Sequence, residues 1–97
     1  MKAIFIAYNQ AFHEEILELM NQSAVRGFTN WEVVRGRGTL YGDPHLGDHA
    51  WPTLNSSMII FAKDDNIIDL KKRLKSLDAT NPAMGLHSFT WTVDDDN

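Results

Sequence analysis

The sequence contains no cysteine. That removes disulfide staples, thiolate metal sites and cysteine nucleophiles at once, and it suits the cytoplasmic location expected here. Long apolar runs are missing too. Nothing approaches the roughly 20 consecutive apolar residues of a membrane-spanning helix, so no direct membrane insertion is expected. The apolar stretch around Ile4, Phe5 and Ile6 is too short for a signal-peptide core, and no small-residue cleavage site follows it. Positive charge is in deficit: nine Lys and Arg against thirteen Asp and Glu give a formal net charge of −4. This argues against nucleic acid as a partner, because phosphate-backbone binding needs a basic face. No Gly-x-Gly-x-x-Gly or Gly-Lys-Ser/Thr phosphate loop occurs. No nucleophile stands beside a base in the sequence, and the paired carboxylates fall on helix surfaces, so a protein without catalysis is expected.

What is present is ordinary for a globular domain: 43% hydrophobic and 23% charged residues in a chain of 97. One domain covering residues 1–97 follows from that length. The acidic stretch Asp94, Asp95, Asp96 reads as a frayed tail over 94–97.

Periodicity divides the chain into six elements. Residues 2–8 carry a short buried-strand pattern. After the capping residue Asn9, the apolar residues Phe12, Ile16, Leu19 and Met20 make one stripe of a helix over 11–24. Residues 28–37, with Trp31, Val33 and Val34, read as a long strand, and residues 57–62, with Met58, Ile59, Ile60 and Phe61, as a second buried one. Asp64 or Asp65 caps a second helix whose stripe is Ile67, Leu70, Leu74 and Leu77; Asn81-Pro82 breaks it. Lys71, Lys72, Arg73 and Lys75 read as its solvated side. Residues 86–93 alternate polar and apolar, the period of a strand with one covered face. The order β-α-β-β-α-β predicts an α+β, ferredoxin-like fold: a four-stranded antiparallel sheet with both helices on one face. The other face is then bare and needs a cover, which oligomerisation supplies.

The chemistry concentrates in residues 38–55, a connection long enough to be functional. Asp43 before Pro44 has the form of a helix start. One or two turns over 44–50 would place His45 and His49 on one face at i, i+4, where two imidazoles converge on a divalent transition metal such as zinc, copper or nickel. Asp48 or Asp43 could add an oxygen and His87 a third nitrogen. Two other readings stand beside this one. The histidines could order the loop through hydrogen bonds to backbone or carboxylates, or the same residues could build a small-molecule site. Arg35 and Arg37 point the same way along their strand and suit either an anion or a carboxylate at an interface. Trp31, Trp51 and Trp91 are expected in the core or at an interface.

The stretch Val33-Val34-Arg35-Gly36-Arg37-Gly38, followed by a long loop containing Pro-His-Leu-Gly-Asp-His-Ala-Trp-Pro, resembles the PII signal-transduction superfamily. Its divergent members include proteins associated with heavy-metal efflux. The resemblance implies a homotrimer with inward-facing sheets, ligand clefts between subunits, a regulatory role and a partner such as a transporter or efflux system. Arg35, Arg37, Tyr41, Asp43 and Trp51 then belong to the ligand-responsive loop. One departure matters: the connection over 78–86 lacks the lysine of nucleotide-binding members. That argues against ATP and for a metal or another small ligand. The alternative function is a small ferredoxin-like enzyme or small-molecule-binding protein with its cleft at the same loop.

Overall fold

The computed structural model describes residues 1–36, 45–47, 54–82 and 85–94. Strand β1 (Lys2–Asn9) leads through a 3-10 turn (Gln10–Phe12) into helix α1 (His13–Gln22). Strands β2 (Thr29–Val34) and β3 (Asn55–Ala62), helix α2 (Asp64–Thr80) and strand β4 (His87–Thr92) follow. Neighbouring strands run antiparallel in the order β2-β3-β1-β4. The expected α+β architecture is therefore present.

The period of two decides which side of the sheet each residue faces. In β1, Ile4, Ile6 and Tyr8 pair with Ile60, Met58 and Ser56 of β3. The five largest of these are fully buried together with Ile16 of α1 and Ile67, Leu70 and Leu74 of α2. Each such aliphatic side chain contributes about 1.5–3 kcal/mol through burial. The stripe expected for α1 behaves the same way: Ile16 and Met20 are buried, while Phe12 and Leu19 pack at the margin. Asn9 accepts from the Ala11 N–H (2.9 Å) and so caps the 3-10 turn rather than the α-helix. Asp64 and Asp65 lie in the first turn of α2, with Lys63 at the capping position, so they complement the helix dipole without capping.

Tyr8 closes the core. Its hydroxyl hydrogen-bonds with Nδ1 of His13 (2.5 Å), and the two rings stack with centroids 5.9 Å apart. Burial pushes the phenol from its usual 10.0 up to about 12, against the opposing effect of hydrogen bonding from Ser56 and Asn30. His13, at the start of α1, thereby partners the hydroxyl of a buried tyrosine.

Strand β2 is shorter than expected and its pairing with β3 slips between Trp31 and Val34. Such a bulge takes a carbonyl out of the ladder. Here the Glu32 carbonyl accepts from Ser56 Oγ (2.5 Å) and from Gln10 Nε2 (3.3 Å) instead.

The far side of the sheet carries the odd-numbered residues of β1. Phe5 pairs with Phe89, and Ala3 with Trp91. Phe61, Phe89, Trp91 and Trp31 are 52%, 60%, 41% and 48% exposed. This is the uncovered apolar face that the element order demands.

Candidate ligand cleft on the open face of the sheet

The cleft forms where β2 leaves the sheet, β3 enters it and the α2–β4 connection returns. Its volume is about 420 Å³, and it is open to solvent. Phe5, Ala7, Val34 and Phe89 give it an apolar floor; Asn55, Ser57 and His87 supply polar groups, and Arg35 a cation. Gly36 and Gly85 form its rim. The His87 ring stacks on Phe89, 6.2 Å centroid to centroid at 13°.

His45 stands immediately behind this cleft. Its backbone exchanges two hydrogen bonds with Gly36, His45 N–H to Gly36 O at 2.6 Å and Gly36 N–H to His45 O at 3.0 Å. The residue is only 6% exposed. Nδ1–H donates to Asn55 Oδ1 at 2.5 Å, which fixes the proton on Nδ1 because the amide oxygen only accepts. The ring then lies against Gly85, whose φ is +67°. Three residues of the cleft wall, Gly36, Asn55 and Gly85, thus each touch His45.

This geometry overturns the metal reading. A helix does not run through His45 and Gly47: the first is in an extended bridge, and the second has φ +69°. At Gly47 a Cβ would overlap the Leu54 side chain, so the turn requires glycine. The i, i+4 convergence therefore has no helix to produce it. His45 is a structural residue held by Asn55, and His87 is a cleft residue stacked on Phe89. Among the described residues no group of three or more His, Cys, Asp or Glu gathers where an ion could be held. His49, Asp48, Asp43, Arg37, Tyr41 and Trp51 lie outside the described residues. Of the sequence-derived candidates, the structure brings Arg35 and His87 to one cleft, with His45 in support. Sequence reasoning missed Phe5, Asn55, Ser57, Gly85 and Phe89. Phe89 carried a signal, as the apolar half of an alternating strand; Asn55 acquires its role only through a contact with His45.

No protein-family model matches the sequence, and no curated protein matches it. Solved structures do resemble the fold. CPII, a nitrogen regulatory PII-like protein from Thiomonas intermedia K12 bound to ADP, AMP and bicarbonate, superimposes with a TM-score of 0.71. It is 17% identical, over 93% of this chain and 82% of that one. The same protein bound to ADP, AMP and acetate gives 0.63 at 13% identity, over 97% and 88%. A PII-like signalling protein from Thermus thermophilus gives 0.66 at 14% identity, over 93% and 83%. The Thiomonas protein holds adenine nucleotides with bicarbonate or acetate, and so the expectation of a metal in place of a nucleotide is corrected from this side as well. The chain therefore has the fold of these PII-like proteins.

Proposed function

We propose that this chain is a regulatory protein that binds an adenine nucleotide in the open-face cleft, without turnover, and signals through the loop that follows Gly36. The observation that carries the reading is the composition of the cleft. Aromatic and aliphatic groups of Phe5, Val34 and Phe89 offer a surface for a flat base, and the Arg35 guanidinium stands at one side. A guanidinium forks onto phosphate oxygens. It thereby offers, from the end of β2, the cation that the lysine-free 78–86 connection does not.

The cleft is half a site in a single chain, since it opens onto the uncovered face. A second copy laid against that face would close it, and the trimer implied by the resemblance supplies such a copy. His45 ties the outgoing loop to the cleft wall, so a ligand that favours one arrangement of Gly36, Asn55 and Gly85 biases the loop by its differential affinity. The partner that reads the loop, a transporter on the resemblance, is the outward end of the same proposal.

Calorimetric titration of the full chain with ADP and with AMP, each with and without bicarbonate, tests the reading. Binding that is weakened by Arg35→Ala and by Phe89→Ala, with nucleotide recovered unchanged, is the expected result. Hydrolysed nucleotide would make the chain an enzyme. No binding at millimolar nucleotide would remove the proposal.

A further inference from the structure

A second candidate site lies on the other side of the sheet. The helix layer covers β1 and β3 but stops short of the edge strand β4. The reason is visible in the register: Ile4 and Ile6 face the helices, and their β4 partners are Thr90 and Ser88, with Thr92 opposite Lys2. No residue of β4 joins the apolar core. The hydroxyl-bearing side of β4 and the flank of α2 therefore enclose a trough of about 410 Å³. Ile67, Ile68 and Thr90 line it, together with Lys2, Lys71, Lys72 and Lys75.

Four of the chain's five lysines thus meet in one place, in a protein whose net charge is −4. Among the described residues the ion pairs are Met1 with Asp64 and Arg73 with Asp69, and neither involves these lysines. Lys71 and Lys75 stand at i, i+4 on α2, a spacing at which like charges repel. Lys71 is drawn inward: its ammonium donates to the Ser88 carbonyl (2.5 Å) and to Ser88 Oγ (2.7 Å). Burial, with Lys75 nearby, pulls its pKa down. Lys2 donates to Thr92 Oγ1 (3.2 Å) at the other end of the strand. Between these two anchored lysines, Thr90 brings a hydroxyl to the trough wall.

We propose that this trough binds a small oligophosphate anion. The trough presents four ammonium groups and the Thr90 hydroxyl. Ammonium groups act as point charges and a hydroxyl as a single donor, which together suit the high charge and tetrahedral oxygens of phosphate. Lys71 and Lys75 lie about one helical turn, or about 5–6 Å, apart along α2, and Lys2 extends the row beyond them, so more than one phosphate is needed to engage all of them. The bound anion would offset the repulsion between the lysines. The site is independent of the nucleotide cleft, which opens on the opposite face.

The probe is inorganic tripolyphosphate, titrated into the full chain by calorimetry at low salt, with citrate as the carboxylate control. Lys72 and Lys75 are exposed, so Lys72→Ala/Lys75→Ala leaves the core untouched. It should weaken tripolyphosphate binding by about tenfold, while Lys63→Ala and Arg35→Ala leave it within about twofold. Thr90→Val gives a second, uncharged variant and should also weaken binding. Four outcomes overturn the proposal: no binding by the parent chain, citrate binding as tightly as tripolyphosphate, loss as large in Lys63→Ala as in the double variant, or loss confined to Arg35→Ala. The last would place the anion in the nucleotide cleft instead.

Discussion

A Cβ placed on Gly85 would lie 3.2 Å from Cε1 of His45. A side chain at residue 85 would press on the loop histidine, whose ring would have to give by a few tenths of an ångström. Residue 85 also has φ +67°, a conformation that costs an L-residue about 1–2 kcal/mol. Gly85→Ala combines strain with crowding. It should lower stability by about 1–3 kcal/mol in urea unfolding and displace the His45 ring. A variant as stable as the parent would show that the α2–β4 connection yields freely.

His45→Ala removes the partner of Asn55 Oδ1, and leaving a buried polar group unsatisfied costs about 1–3 kcal/mol. The loss should be local as well as global. The Gly36 N–H, bonded to the His45 carbonyl at 3.0 Å, should exchange with solvent faster relative to amides of β1. Unchanged protection at Gly36 would mean that the backbone bridge stands without the imidazole.

The contrast between what the sequence announces and what it conceals follows from range. Ile67, Leu70 and Leu74 repeat at helical spacing, so α2 declares its buried face within a single segment. The alternation over 86–93 likewise separates Ser88, Thr90 and Thr92 from His87, Phe89 and Trp91. From such local periods the whole element order, and hence the sheet, could be read. His45 could not. Its spacing to His49 and the preceding Asp43-Pro44 are local cues for a helix, yet its conformation is set by three distant partners: Gly36, Asn55 and Gly85. The slip in β2 was hidden for the same reason, being a property of the β2–β3 pairing. Tyr8 did carry a signal. A tyrosine at the end of a buried strand needs a partner for its hydroxyl, and His13 stands just beyond the turn.

Tyr8 makes stability depend on alkaline pH. The folded-state pKa is raised from 10.0 to about 12, so folding favours the neutral phenol. That contribution is fully present below pH 10 and is lost as pH rises toward 12. Urea midpoints measured across this window should fall, and Tyr8→Phe should flatten the fall while lowering stability at neutral pH, where His13 Nδ1 loses its hydrogen-bond partner. An unchanged slope in Tyr8→Phe would assign the alkaline loss to other groups.

The open face bears on assembly, and the register says where to press. Phe89 lies opposite Phe5 on the edge strand β4 and is 60% exposed. On the same face, Trp91 of β4 and Phe61 of β3 are 41% and 52% exposed. Covering what remains exposed of each side chain returns a part of the roughly 1.5–3 kcal/mol that its full burial is worth, and an apolar patch of this kind marks an interaction surface. The face calls for a cover, and the resemblance to PII proteins implies that a closed assembly of three chains supplies it. Light scattering after size exclusion should give about three times the chain mass. Phe89→Glu would place a charge inside that contact, where no partner awaits it, and should yield monomers with the circular dichroism of the parent, because residue 89 faces away from the core. Ile68→Glu is the matched control. Ile68 is 44% exposed on the helix side, and its variant should remain a trimer. A parent chain that is monomeric at all concentrations, or a Phe89→Glu variant that still assembles, would show that this face is covered in some other way.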